Sequence, residues 1–417
     1  MSHDNLFCYP CLPDEEYIEH LGAIFRDTAH APAIAREVTP VQSREFAERA
    51  VEARLRILRA VYAEEYFTDS YELDRLSAKV ANGQEFIWFW GDPPAVAALM
   101  SSEALDAVPQ LGTVSVIDSS GEFGAGFGEI CRSGSVSPVG LKPYAVKRIL
   151  DFVSGTNAAL HRQFHTLCLV PRVRGATGHI RGGKSVNTIH RKYIRSRFWG
   201  FAPWYVMQGG LLECLEYREI NRRIEHLRAG LVQYPNVHAL SSQEADFIRS
   251  LHVMNLPGSD LRITVGPGPA GDSRTYFRQR NVLPAEIRQY NHVAYEPAFD
   301  AGEGTEVTLS DIERQCGNHA CSVVNINMSE ERSLQIQREL WDAGYRLTCV
   351  RPARRIGDLP EDEARGIGFP LFGSWAKPNG RWRIAAPYYL ESESPDPSEQ
   401  CVLRYLSSLV GFWRSDV

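Results

Sequence analysis

Nowhere does the 417-residue chain offer about 18 consecutive apolar residues, the length a helix needs to cross a bilayer. The opening stretch, MSHDNLFCYPCLPDEEY, has no basic start followed by an apolar run, so it does not read as a secretory signal. Nine cysteines is an odd count in a long chain, which favours reduced thiols over a disulfide framework. These absences lead to the expectation of a cytoplasmic protein with no membrane part. The length suffices for two or three domains.

The most informative absence is of acid. From Phe152 to Leu212 there is no Asp or Glu, in a chain whose net charge is −6. The same span holds Arg162, Arg172, Arg174, Arg181, Lys184, Arg191, Lys192, Arg195 and Arg197. Such a segment suits a phosphate-bearing partner, and it equally suits a solvated face balanced by acidic neighbours in space. Its Gly178-His-Ile-Arg-Gly-Gly-Lys-Ser185 run has the spacing GxxxxGK[ST] of a phosphate-binding loop, a short pattern with a high false-positive rate. The loop therefore reads as a flexible contact for phosphate or an RNA backbone. Cys8-Tyr-Pro-Cys11 could combine with Cys316, His319 and Cys321 as zinc ligands; the wide separation favours free thiols instead, and no metal is expected.

Periodicity organises the chain. Residues 1–40 read as an irregular leader. Apolar spacing predicts helices over Gln42–Tyr66 and Asp69–Ala81, then strands over Phe86–Trp90 and Gly112–Ile117. A strand over Phe127–Ser137, a helix with Val146, Ile149, Leu150 and Val153, and a strand over Thr166–Val170 follow. A basic helix ends at Trp199-Gly200-Phe201, before a strand over Pro203–Met207. Leu212–Leu231 reads as a charged amphipathic helix. Ser241-Ser-Gln-Glu244 is a capping box, Thr308 an N-cap, and Ser329 the cap of a helix running through Ala343. Helix–Ala343-Gly344-Tyr345–strand (Arg346–Val350) echoes helix–Trp199-Gly200-Phe201–strand, and suggests a second half on the plan of the first. Strands over Phe369–Trp375 and Trp382–Leu390 and a helix over Ser398–Trp413 complete the chain.

The strand EICRSGSVSP, its following helix, the strand TLCLVP and the run ending in FWGF resemble the core of the GNAT superfamily, the Gcn5-related N-acyltransferases. Arg54 to Tyr66 is similar to the first helix of the acyl-homoserine-lactone synthase branch. The resemblance implies an α/β fold with a mixed central sheet flanked by helices, in two related halves: a GNAT-like domain over 41–210 and a degenerate one over 211–417. It also implies acyl transfer from an acyl thioester, carried by coenzyme A or by the phosphopantetheine of an acyl-carrier protein, to a primary amine of a small molecule. The active centre falls in the first half.

In that family the first core strand holds the donor's pantetheine arm, which here points to Arg132, Gly134, Ser135, Val136 and Ser137. The pyrophosphate loop falls at Lys142 and Ala145, with Lys147 where the pattern has a second small residue. Simple alternation puts Glu129, Cys131, Ser133, Ser135 and Ser137 on one face of the strand, and Ile130, Arg132, Gly134 and Val136 on the other. Glu129 takes the family's place for the general base. Tyr205 or Tyr193 takes that of the acid that protonates the leaving thiolate. The altered loop and the basic span keep a second donor open, an aminoacyl-tRNA gripped by Arg172, Arg174, Arg181, Lys184, Arg191, Lys192 and Arg195. A non-catalytic RNA- or protein-binding module of the same fold is the third alternative.

Overall fold

The structure, a computed structural model, describes residues 6–9, 44–62, 70–82, 84–91, 111–118, 127–136, 166–169, 197–206, 211–220, 236–255, 261–266, 275–282, 292–298, 306–315, 319–352, 371–380, 383–384 and 397–415. The chain divides into two compact units. Each is α/β with a mixed sheet. Among the described residues no helix is long and apolar enough to cross a membrane.

Unit 1 contains β1 (Leu6–Tyr9), α1 (Arg44–Tyr62), α2 (Ser70–Ala81), β2 (Glu85–Gly91), β3 (Leu111–Asp118), β4 (Phe127–Val136) and β5 (Thr166–Leu169). Strands β1 to β4 form an antiparallel run, and β5 joins β4 in parallel. Leu6–Tyr9, within the stretch read as an irregular leader, thus supplies a strand. Helix α1 buries Ala47, Val51, Leu55 and Leu58 at helical spacing, as its periodicity predicts. Its stripe also carries Arg54, fully buried, which pairs with buried Glu85 of β2 and donates to Ser115 Oγ of β3 at 2.9 Å. Burying this pair is unfavourable unless both partners stay in place.

Unit 2 begins with β6 (Arg197–Val206) and β7 (Leu211–Ile220), a hairpin. Next come β8 (Val237–Ala239), α3 (Ser242–Asn255), β9 (Ile263–Val265), β10 (Phe277–Val282), β11 (His292–Pro297), β12 (Glu306–Val307) and α4 (Leu309–Gln315). The unit ends with β13 (Cys321–Asn327), α5 (Ser333–Asp342), β14 (Arg346–Pro352), β15 (Leu371–Pro378), β16 (Arg383–Ile384) and α6 (Pro397–Ser415). Its main sheet runs β7-β6-β14-β15-β13-β11-β10-β12, with β16 beside β7, and β8 and β9 form a separate parallel pair. Among the described residues, only β11 and β13, and β16 and β7, pair in parallel within the main sheet of this unit. The core gathers Trp375, Tyr345, Tyr295, Phe201, Val324 and Leu406, all buried.

Local chemistry sets the helix ends. Ser241 Oγ accepts from Glu244 N–H at 3.2 Å, and Glu244 Oε2 accepts from Leu240 N–H at 3.0 Å, so the capping box opens α3. Thr308 and Asp311 do the same for α4, through Asp311 N–H to Thr308 Oγ1 (3.3 Å) and Thr308 N–H to Asp311 Oδ2 (3.0 Å). At the end of α5, Tyr345 N–H reaches Leu340 O at 2.9 Å, Gly344 N–H reaches Trp341 O at 3.0 Å, and Gly344 has φ +87°. This is a Schellman closure, and the positive φ favours glycine.

Three sequence expectations are corrected. Trp199-Gly200-Phe201 is not a helix-to-strand joint, because Arg197–Val206 is one strand. Trp199 is an extra residue in β6 against β7, between the pairs Phe198↔Arg218 and Gly200↔Tyr217. Asn255 at the end of α3 serves the Phe198 backbone there, accepting from its N–H at 2.9 Å and donating to its carbonyl at 2.5 Å. Gly200 takes φ +120°, and a Cβ on it would sit 2.7 Å from Cys349 Cα and collide with Thr348 O of β14. Second, Leu211–Ile220 is strand β7, since pairing with β6 outweighs the helix-favouring Leu and Glu content. Third, Ser329 does not cap a helix: α5 starts at Ser333, and Ser329 Oγ instead accepts from Leu371 N–H at 3.1 Å.

Candidate functional site

Strand β4 lies between β3 and β5 in unit 1. Glu129 stands opposite Ile117 on β3 and Cys168 on β5, a central position in that sheet. Gly134, Ser135 and Val136 stand opposite Thr113, Gly112 and Leu111. The parallel ladder to β5 runs from Phe127↔Thr166 to Ile130↔Leu169, while β4 continues to Val136. From Cys131 onward, therefore, the β4 backbone groups directed away from β3 have no ladder partner among the described residues.

The ladder to β3 has a break that alternation did not anticipate. Ser115 pairs with Cys131 and Thr113 with Gly134, so Arg132 and Ser133 together oppose Val114. This is a β-bulge, a device that re-aims a strand and is over-represented beside active sites. It also changes which residues share a face. Residues directly opposite in a ladder lie on one face, so Glu129, Cys131, Gly134 and Val136 register together, and Ser135 registers with Ile130. The simple split at Ser133 and Ser135 is overturned by this one extra residue.

The Glu129 face is the one that carries Glu85, Ile87, Ser115 and Thr113, and it is covered by α1 through Arg54. Among the described residues, Thr113 Oγ1, buried beside the bulge, has no hydrogen-bond partner. Sequence reasoning missed Arg54 and Glu85. The signal was present: Arg54 lies between Val51 and Leu58 on the apolar stripe of α1, where a cation requires a buried partner.

Tyr205 lies on β6, opposite Glu213 of β7, in unit 2. Tyr193, Ser137, Lys142, Ala145 and the basic residues Arg172, Arg174, Arg181, Lys184, Arg191, Lys192 and Arg195 lie outside the described residues. Cys8 is on β1 of unit 1, Cys321 is a buried free thiol on β13 of unit 2, and Cys11 and Cys316 lie outside the described residues. Among the described residues no group of three His, Cys, Asp or Glu could hold a metal ion. No protein-family model matches the chain, and no curated protein is significantly similar to it.

Proposed function

We propose that the protein is an N-acyltransferase of the GNAT type, built from two related halves, that moves an acyl group from an acyl thioester to a primary amine of a small molecule. The observation that carries this reading is strand β4: central, bulged at Arg132–Ser133, and in ladder contact with its parallel neighbour only as far as Ile130. A strand that keeps donors and acceptors past the end of its ladder suits the amide-rich pantetheine arm of coenzyme A or an acyl-carrier protein. The two-halves reading draws support from a repeated pattern. In unit 1 an antiparallel pair, β3–β4, is followed by the parallel partner β5; in unit 2 the antiparallel pair β10–β11 is followed by the parallel partner β13.

In the reaction, the amine nitrogen attacks the thioester carbonyl, the C–N bond forms, the C–S bond breaks, and the thiolate leaves. Glu129 takes the ammonium proton, and Tyr193 returns a proton to the thiolate. The acid-free span from Phe152 to Leu212 favours a second reading, in which the donor is the ester of an aminoacyl-tRNA.

The test is product formation from acyl-coenzyme A, acyl-carrier protein and aminoacyl-tRNA, each with a panel of primary amines and each titrated with salt. Glu129→Gln is expected to lower turnover by about 10²–10⁴-fold while leaving the fold intact. A ribonuclease-sensitive activity with the tRNA donor alone would replace the thioester reading. No amide product from any donor would refute acyl transfer altogether.

A further inference from the structure

The two faces of the unit 2 sheet are built differently. On one face Phe277, Val293, Tyr295, Val324, Ile326 and Trp375 are buried along the whole strand length. The other face starts in the same way, with Ala294, Cys321, Val323 and Ala376 buried. Towards the carboxyl ends of β11 and β13 it turns polar and opens: Glu296, Asn325, Asn327 and Phe372 are half-buried. Register joins these residues into one band. Arg278 of β10 opposes Glu296 of β11, Asn325 of β13 opposes Ser374 of β15, and Asn327 and Arg351 flank Phe372 on the next rung. A packed helix over this end of the sheet would call for apolar residues, and the opposite face supplies them.

A second observation falls at the same place. The parallel ladder between β11 and β13 runs from His292↔Cys321 to Tyr295↔Val324, so Glu296 and Asn325 are the first residues beyond its last pair. In open α/β sheets, ligands bind outside the carboxyl ends of parallel strands, and this polar patch lies at the carboxyl ends of the parallel pair β11–β13. The chemistry there is prepared. Ser374, buried, donates to Asn325 Oδ1 at 2.6 Å and fixes the amide. Among the described residues Asn325 Nδ2 has no partner. Asn327 is already engaged, accepting from Ser329 N–H at 3.1 Å and donating to Glu330 Oε1 at 2.9 Å, so it closes the strand end instead of reaching a ligand.

We propose that unit 2 carries its own binding site for a small zwitterion of the amino-acid class. The ligand carboxylate accepts from Asn325 Nδ2 and from the Arg351 guanidinium, which extends from a position two strands across and one rung along, about 12 Å from Asn325 between Cα atoms; the five donors of a guanidinium leave it capacity for both protein and ligand. The ligand ammonium pairs with Glu296, which stands next to Asn325 on the neighbouring strand. The site does not depend on acyl transfer in unit 1.

Isothermal titration of the full chain with each of the twenty proteinogenic amino acids tests this, with their N-acetyl and carboxamide derivatives as separate arms. At least one free amino acid is expected to bind, and both derivatives of it to bind more weakly. Asn325→Asp keeps the shape of the side chain but replaces a donor by a charge that repels carboxylate, and should weaken binding by about 10- to 100-fold. Ser374→Ala, which only releases the amide, should weaken it several-fold. Glu129→Gln should bind like the unaltered chain. The proposal is overturned if no amino acid binds, if both Asn325→Asp and Ser374→Ala bind normally, if the derivatives bind as well as the parent, or if Glu129→Gln abolishes binding.

Discussion

Glu244 ties the stability of unit 2 to pH. Its carboxyl group is fully buried at the start of α3, where Oε2 accepts from Leu240 N–H and Oε1 has no hydrogen-bond partner among the described residues. Burial raises its pKa from the ordinary 4.5 to about 7, against the lowering effect of the backbone hydrogen bonds from Leu240 and Ser241 and of the Arg346 charge. In the unfolded chain the group gives up its proton near the ordinary value; in the folded chain it keeps it to about 7. Between those limits the folded state binds more protons, so stability from this group is fully present at the acid end and is lost as pH rises through about 7. At about 1.4 kcal/mol per tenfold change in proton affinity, the interval corresponds to about 3 kcal/mol. Glu244→Gln removes the charge and keeps an acceptor for Leu240. Urea unfolding of both chains from pH 4.5 to pH 8, followed by tryptophan fluorescence, isolates the effect as a difference. The variant should gain on the parent by about 1.4 kcal/mol per pH unit up to about pH 7 and level off beyond. The absolute gain is smaller if the new amide N–H₂ lacks an acceptor, a cost of about 1–3 kcal/mol that does not vary with pH. Parallel stability curves for the two chains would refute the reasoning.

Two further perturbations bear on the framework. Arg54→Met alone removes the cation paired with the buried Glu85 carboxylate and is expected to cost about 3–5 kcal/mol in urea unfolding, whereas Arg54→Met with Glu85→Leu should recover most of that loss. Gly200→Val places a β-branched side chain at φ +120° against the β14 backbone; a loss of more than about 3 kcal/mol, or failure to accumulate as folded protein, is expected, and a thermal midpoint equal to that of the parent would contradict the close approach of the two strands.

Much of the framework was legible where local and tertiary preferences agree. The stripe Val51, Leu55 and Leu58 announced α1, the capping box at Ser241–Glu244 announced α3, and Gly344 marked the end of α5. The misreadings arose where pairing overrides composition. Leu211–Ile220 carries Leu and Glu at helical spacing, yet its partner β6 makes it a strand. Gly200 was recognised as a residue needing positive φ, but two different causes produce that need, a helix terminus and a crowded strand crossing, and sequence alone does not separate them. At the candidate site, Glu129 was placed on a central strand by the resemblance to an acyltransferase core, and its strand neighbours β3 and β5 flank it on both sides. The bulge at Arg132–Ser133 was invisible, because an inserted residue changes ladder register without altering the local pattern. The polar band in unit 2 is harder still to see in the sequence: Arg278, Glu296, Asn325, Arg351 and Ser374 come from five strands, and only register brings them together.

The crossing of β6 and β14 also gives the molecule an internal clock for its own opening. The two strands share the pair Cys349↔Gly200, and the Cys349 thiol is buried and not in a disulfide. A thiol reagent reaches that sulfur only when the strands part, so in the regime of fast reclosing the alkylation rate of Cys349, divided by that of an exposed thiol, equals the fraction of time the junction spends open. The closeness that excludes any side chain at position 200 therefore makes position 349 a reporter of local unfolding at the centre of the unit 2 sheet.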